Sequence, residues 1–204
     1  TGVAFEGPSR GRALVRIPVL AVVLGALLLA GCGSGSSTGD TPPLRPPLAA
    51  SELPELAARD RELSLAALAA DAFEPEELAA LLDDAGYAGG RERELSGHGE
   101  TFDHVIARSL VFADAAGADA YLGWIRGHTL DLAGRTRERE APPLGDVAFL
   151  FELEPCASCR KQLPTRVAAW RHDGHVAYLL ASGRGVTRES FRRLALAVDA
   201  SVAA

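Results

Sequence analysis

The sequence predicts an α+β fold, in which one mainly antiparallel sheet of about five strands carries its helices on one face. Short segments rich in Val, Phe and Leu with a period of two indicate strands, and Ala/Leu-rich segments with capping residues indicate helices. Asp173-Gly174 is typical of a two-residue turn, which joins the antiparallel strands of a hairpin. The predicted order of elements is ααββαβββα, in a single domain at residues 51–204.

The domain is predicted to begin with two helices and a pair of strands. Residues 51–70 are rich in Ala and Leu, which favour a helix. A second helix is predicted from Pro75, a residue suited to the first helical position, to Gly86, which stops it. Its apolar residues form one stripe: Leu78, Leu81, Leu82 and Ala85. Residues 91–97 and 102–112 are then predicted to form the two strands of a hairpin.

A third predicted helix separates this hairpin from the remaining strands. Asp114 is expected to cap the helix, which continues through Ile125 and ends at Gly127. The inward residues of this helix are expected to be Ala118, Leu122 and Ile125. The polar residues 135–140 and the prolines that follow them are predicted to form a connection without regular structure.

The last predicted elements are three strands and a helix. Alternation predicts that the first strand places four apolar residues on one face: Val147, Phe149, Phe151 and Leu153. Residues 165–171 and 175–182 flank the Asp173-Gly174 turn and are predicted to form a hairpin. Thr187 is expected to cap the final helix. The inward side of this helix is predicted to carry Phe191, Leu194, Ala195, Val198 and Val202.

Composition and charge exclude some classes of partner. The chain has 204 residues, 48% of them hydrophobic, and a net charge of −6. Residues 1–31 carry +2, which leaves −8 on the remainder. Nucleic acid requires a basic surface, and electrostatic docking on anionic lipid requires basic clusters. The sequence therefore predicts no nucleic-acid partner and no attachment to a membrane through surface charge.

Residues 1–31 have the pattern of an export signal. Three arginines precede an apolar run of 14 residues, Ile17 to Ala30. As a helix this run would span about 21 Å, short of the roughly 30 Å hydrocarbon core of a bilayer. That length suits a signal peptide better than a permanent span. The run ends in Leu29-Ala30-Gly31-Cys32, which resembles the lipobox of bacterial lipoproteins.

The lipobox resemblance implies that the chain is cut before Cys32 and that the Cys32 thiol receives a lipid. Residues 32–50, rich in Gly, Ser and Pro, are predicted to form a tether between this anchor and the domain. The expected location is therefore the extracytoplasmic face of the cell membrane. A plain signal peptide with an incidental cysteine, or a short anchor helix, is the alternative.

Three segments of the domain carry a second resemblance. They are residues 111–121, residues 144–146 and residues 170–177. They resemble stretches of exported α+β domains in actinobacterial lipoproteins and of the extracellular sensor domains of actinobacterial membrane kinases. The resemblance implies a non-enzymatic binding or sensing domain and assigns no functional residues. The kinase-type domains are commonly braced by two disulfides, whereas lipidation of Cys32 leaves this chain only Cys156 and Cys159 as a pair.

Cys156 and Cys159 have C-x-x-C spacing. In an exported protein such a pair is expected to be oxidised, so we predict a structural disulfide in a loop between two strands. The alternative is a site of thiol–disulfide exchange, which requires an attacking thiol with a low pKa. Glu152 and Glu154 precede the pair, and their negative charge would raise a thiol pKa.

The sequence predicts no metal site and no cofactor. Cys156 and Cys159 with His172 and His175 approach a zinc-finger spacing. However, the intervening strand would separate the cysteines from the histidines by roughly 20 Å, whereas zinc ligands lie about 2 Å from the ion. The acidic residues 74–77 lack the ligand spacing of a calcium loop.

Catalytic patterns are weak. Residues 182–185, Ser-Gly-Arg-Gly, precede a helix start that could hold an anion, but a dinucleotide fingerprint requires a further glycine where Arg188 stands. The folded part contains no G-x-S-x-G sequence, and His98, His104 and His128 are scattered along the chain.

The predicted function is that of a membrane-anchored extracytoplasmic lipoprotein with a non-catalytic binding or sensing domain. Its partner is expected to be a protein or an apolar small molecule, held in the crevice between sheet and helices. A thiol–disulfide oxidoreductase accessory protein that uses Cys156 and Cys159 is the first alternative. A hydrolase with a site assembled from distant residues is the second.

Overall fold

A seven-stranded antiparallel sheet forms the centre of the part of the chain that the structure describes. The computed structural model describes residue 44 and residues 46–133, 136–153 and 163–203, all within one unit, Pro42–Ala204. The strands are β1 (Ala57–Leu63), β2 (Tyr87–Ser96), β3 (His104–Phe112), β4 (Thr136–Arg139), β5 (Val147–Leu153), β6 (Thr165–His172) and β7 (His175–Ser182). Their order across the sheet is β1-β2-β3-β7-β6-β5-β4, so β1 and β4 are the edges.

Four α-helices lie within the described residues. They are α1 (Leu65–Ala70), α2 (Pro75–Asp84), α3 (Ala115–Ala133) and α4 (Arg188–Val202), and a single 3-10 turn, Ala50–Glu52, precedes β1. None of the helices in the described ranges combines the length and the hydropathy that a membrane span requires.

The fold is α+β, but the prediction of about five strands was wrong. The segment predicted as the first helix, residues 51–70, contains β1 and only a short α1. Ala, Arg, Glu and Leu favour helices in isolation, yet β1 pairs with β2 along its whole length and its first four residues are exposed. A charged edge strand lacks the apolar alternation that reveals central strands, because charge on an edge prevents further pairing. The predicted connection at residues 135–140 likewise contains the edge strand β4.

The prediction that the helices cover one face of the sheet was also wrong. Helices α1, α2 and α3 pack on one face, which we call the three-helix face, over a core that includes Leu82, Leu110 and Phe151. Helix α4 packs on the other face over a second core that includes Leu179 and Trp170. Successive residues of a strand point to opposite faces. Because β6 and β7 are apolar on both faces, each can support a helix layer on either side.

Several predicted elements are confirmed. Helix α2 begins at Pro75, and α4 is capped by Thr187, whose side chain accepts a hydrogen bond from the backbone of Ser190. The β6–β7 turn places Asp173 at φ 48°, the positive value that such a turn requires. Helix α3 is longer than predicted and continues past Gly127, which is exposed and lacks a positive φ.

Residues 47 and 48, which the sequence placed in the tether, pack against the described domain. Leu48 is 1% exposed and belongs to the core beneath α4. Arg93 on β2 donates a hydrogen bond from Nη1 to the Leu48 carbonyl at 2.5 Å, and the hydroxyl of Ser201 on α4 donates to the carbonyl of Pro47. The chain is therefore held against both the sheet and the last helix from residue 47 onward.

Candidate functional site

A crevice of about 190 Å³ lies between the sheet and the helices of the three-helix face. Its floor is formed where Arg108 on β3 pairs with Tyr178 on β7, and helices α1, α2 and α3 supply the walls. The lining residues are Leu68, Asp71, Ala72, Phe73, Leu78, Arg108, Tyr121, Trp124, Ile125, His128, Thr129 and Tyr178. The crevice thus combines an apolar wall with a few polar groups, which is the usual composition of a small-molecule site.

Aromatic side chains make up much of the wall. Tyr121 is buried by packing against Phe112, with ring centroids 5.4 Å apart. The ring of Trp124 stacks on that of His128 at 4.0 Å. Phe73, in the connection between α1 and α2, is 76% exposed and lines the crevice. Aromatic rings present a large flat surface to a ligand at little cost in conformational entropy.

Four charged residues close one end of the crevice, and we call them the charged ring. Strand pairing places Arg61, Glu92 and Arg108 side by side on β1, β2 and β3, and Asp71 reaches them from the C-terminus of α1. Arg108 donates from Nε to Glu92 at 2.6 Å and from Nη2 to Asp71 at 2.8 Å. Arg61 donates from Nε to Glu92 at 3.1 Å and also bonds Asp71. Opposite charges on neighbouring strands stabilise the pairing and neutralise each other.

The charged ring has a buried half and a partly exposed half, since the side chains of Arg61 and Asp71 are 36% and 30% exposed. The side chain of Glu92 is 7% exposed and that of Arg108 is 16% exposed. Burial of the Asp71 carboxyl opposes its ionisation, but the hydrogen bond from Arg61 and the charge of Arg108 outweigh this and hold its pKa below 3.8. Burial acts against the charged form of Arg108 too, yet its pKa is raised by the groups around it, Glu92 among them. Asp71, Arg61 and Arg108 are therefore charged at neutral pH.

The two tyrosines of the crevice keep their protons. Burial raises the pKa of Tyr121 above its ordinary value of 10.0, although the charge of Arg108 opposes the shift. Burial likewise raises the pKa of Tyr178, over whose ring the Arg108 guanidinium lies at 5.5 Å from the centroid. At neutral pH both residues offer a neutral hydroxyl group, which can donate or accept a hydrogen bond.

At the mouth of the crevice, Glu74, Glu77 and His128 come together. Their ligand-capable atoms lie within 4.8 Å of one another, so among the described residues they could hold a divalent cation. His128 contacts Glu74 through Nε2 at 3.0 Å and the Trp124 carbonyl through Nδ1 at 2.9 Å. The bond to Glu74 raises the pKa of His128 and lowers that of Glu74. Both glutamates are exposed, and an ordinary surface ion pair accounts for the arrangement.

Two other depressions are less suited to a ligand. One of about 600 Å³ lies between the end of α2 and the start of α3. Its described lining consists of Leu81, two aspartates (Asp84 and Asp114) and alanine and glycine residues, without an aromatic ring. The other, of about 360 Å³, shares Asp71 and Arg108 with the crevice, so the charged ring lies between the two. Its lining is mostly charged, with Ile106 as its apolar member.

Apart from His128, which lines the crevice, and the neighbouring Glu74 and Glu77, the residues that the sequence singled out do not form this site. Cys32, Cys156 and Cys159 lie outside the described residues, so lipidation, the disulfide and the redox alternative stay predictions. His172 bonds Asp199 on α4 through Nε2 at 2.7 Å, on the opposite face from the crevice, and His175 is exposed.

The remaining candidates also have structural roles. His104 is half-buried and bonds Glu94 at 3.0 Å. In the predicted anion loop, a Cβ atom on Gly183 would lie 2.4 Å from the carbonyl oxygen of Thr101, and one on Gly185 would lie 2.8 Å from that of Glu100. These glycines permit the chain to pass close to another loop, which accounts for them without an anion.

Sequence analysis missed the charged ring. The sequence predicts a helix around Arg61, and Glu92 and Arg108 fall in the predicted strands 91–97 and 102–112 without any role assigned to them. A signal was present: charges recur two residues apart at Arg59 and Arg61 and again at Glu92 and Glu94. Such spacing places like charges on one face of a strand, and only the pairing of the strands shows that the two sets face each other.

No protein-family model matches the sequence, and no curated protein matches it. The chain is similar to the crystal structure of the extracellular domain of PknH from Mycobacterium tuberculosis, at 14% sequence identity and a TM-score of 0.45. The match covers 72% of this chain and 82% of that chain. At this identity and TM-score, neither a ligand nor an activity is transferred to this protein.

Proposed function

We propose that this protein is lipid-anchored at the extracytoplasmic face of the cell membrane and that its domain binds a small, largely apolar molecule without catalysis. The observation that supports the proposal is the crevice, which an apolar ligand would enter between the aromatic wall and the floor of the sheet. The predicted export signal and the resemblance of Leu29-Ala30-Gly31-Cys32 to a lipobox support the location.

A concave site favours a small molecule over a protein partner. A protein interface of standard size buries about 800 Å² on each partner, whereas the crevice is a narrow recess of about 190 Å³. A non-catalytic role is supported by the state of the lining groups. Asp71 and Arg108 bond each other, and the described lining contains neither serine nor cysteine as a nucleophile.

Binding can be tested with N-phenyl-1-naphthylamine, an uncharged fluorophore that brightens in apolar sites. The full chain is expected to bind it, and Ala72→Trp is expected to weaken binding at least about tenfold, because Ala72 lines the crevice. Ala200→Trp is the matched control, since Ala200 is exposed on α4. The lipid or detergent around the anchor contributes the same background in both variants. Equal affinity in the two variants, or no binding by the unchanged chain, would refute the proposal.

The location can be tested separately by intact-mass analysis of the native protein. The expected product begins at Cys32 and carries acyl chains. A product that retains residues 1–31, or that begins at Cys32 without lipid, would contradict the anchor and leave the crevice proposal standing.

A further inference from the structure

The charged ring neutralises itself, and this restricts the ligand of the crevice. Two guanidinium groups, from Arg61 and Arg108, face two carboxylates, from Glu92 and Asp71. Each arginine bonds both carboxylates. Because the ring holds two positive and two negative groups, its formal net charge is zero. Arg108 and Asp71 are the two members that also line the crevice. A ligand that reaches this end of the crevice therefore meets charges that are already paired.

A charged ligand would be poorly matched to this environment. Bringing a charge out of water costs several kcal/mol unless a partner compensates it. An anionic ligand would have to compete with Asp71 for Arg108, and a cationic ligand would have to compete with Arg108 for Asp71. Either competition breaks a charge-assisted hydrogen bond of 2.8 Å between Arg108, whose side chain is 16% exposed, and Asp71, whose side chain is 30% exposed. An uncharged ligand leaves the charged ring intact.

The hydroxyl groups of the crevice are suited to an uncharged polar group on the ligand, and its other polar side chain outside the charged ring, His128, is already bonded to Glu74. Tyr121, Thr129 and Tyr178 carry hydroxyl groups. A hydroxyl group can donate to a carbonyl or ether oxygen and can accept from an amide. The aromatic side chains Trp124 and Phe73 offer flat apolar surface beside them.

We infer that the crevice selects an uncharged ligand with a flat apolar body and one hydrogen-bonding group such as a carbonyl, and that it discriminates against ionised analogues of the same shape. This inference rests on the proposed function, because it assigns the ligand class of the same crevice. The selection is a consequence of the charged ring, which gives a ligand ion no unpaired partner.

Three ligands that share one ring system test the inference: 2-naphthamide, 2-naphthoate and 2-naphthylmethylammonium. Isothermal titration of the full chain at neutral pH is expected to show the amide binding at least about tenfold more tightly than either ion. If either ion binds as tightly as the amide while N-phenyl-1-naphthylamine still binds, the inference is overturned and the proposed function stands. If the fluorophore does not bind, the proposed function fails and this inference fails with it.

A variant that unbalances the charged ring provides the second test. Asp71→Asn removes one negative charge, leaves Glu92 to hold both arginines, and keeps the size of the side chain. It is expected to raise the affinity for 2-naphthoate relative to 2-naphthamide at least about fivefold. Glu94→Gln is the matched control, because this substitution removes a charge from the same face of β2. The native Glu94 side chain bonds His104 and lies outside the charged ring. An equal shift in both variants would overturn the inference, since net charge alone would then explain it.

Discussion

Removal of the Glu92 carboxylate is predicted to destabilise the domain strongly. Glu92 is 6% exposed and holds Arg108 at 2.6 Å and Arg61 at 3.1 Å. Loss of one partner of a buried ion pair costs about 3–5 kcal/mol, because the other charge is left uncompensated. Arg108 keeps Asp71, and Arg61 is partly exposed, so we expect Glu92→Ala to cost about 3 kcal/mol.

The matched control is Glu94→Ala on the same strand. Glu94 bonds only His104 among the described contacts of its side chain, and its side chain is 38% exposed. Exposed pairs contribute about 0–1 kcal/mol. Urea denaturation followed by circular dichroism measures the free energy of unfolding of both variants. In thermal denaturation, the melting temperature of Glu92→Ala should fall by about 6–12 °C. If the two variants lose equal stability, the charged ring is not a buried network and the argument from it fails.

Three further predictions concern other parts of the fold. In α3, Gly123→Ala is expected to stabilise the domain by about 1 kcal/mol, because a Cβ atom there meets nothing within 4 Å. Gly117→Ala is expected to destabilise it by about 1–3 kcal/mol, since the Cβ atom would lie 2.1 Å from the Ala85 carbonyl oxygen. Thermal denaturation of both variants would refute this if the two melting temperatures shifted in the same direction. Trp170→Phe is expected to lower the free energy of unfolding by less than about 1.5 kcal/mol although Trp170 is fully buried, because its indole nitrogen has no hydrogen-bond partner among the described residues. A decrease of about 3–5 kcal/mol, as for an alanine substitution, would contradict this prediction. Burial opposes ionisation of Glu152, but hydrogen bonds from two arginines outweigh this and hold its pKa below 4.5. The contribution of the Glu152 carboxylate to stability is therefore present above pH 4.5 and is lost as the pH falls through the lower pKa of the folded state. Glu152→Gln should make the free energy of unfolding decline less steeply between neutral and acid pH, and an unchanged slope would contradict the assignment.

Local signals in the sequence were sufficient for the central elements. Pro75 and Thr187 mark helix starts through backbone geometry and capping, which depend on a few neighbouring residues. Asp173 marks a tight turn for the same reason. Phe149 and Phe151 are buried on one face as their alternation predicts, although Val147, predicted on the same face, is 43% exposed. Each of these signals is short-range and needs no knowledge of the rest of the fold.

The edges of the sheet and the site depend on long-range pairing and were therefore missed. The segment around Arg61 has the composition of a helix and becomes a strand because it pairs with β2, more than 25 residues away. The meeting of Arg61 with Glu92 and Arg108 requires that pairing, as does the position of Asp71. The second helix layer was missed because an apolar strand buried on both faces has no polar side from which its coverage could be read.

The hydrogen bond between Pro47 and Ser201 places the first described residues and the end of α4 on the same side of the sheet. Leu48 and α4 share a core on the face of the sheet opposite the crevice. A label or surface coupling introduced at residue 46 or at the end of α4 is thus attached behind the sheet. Ligand access can then be measured on an immobilised sample with the aromatic wall unmodified.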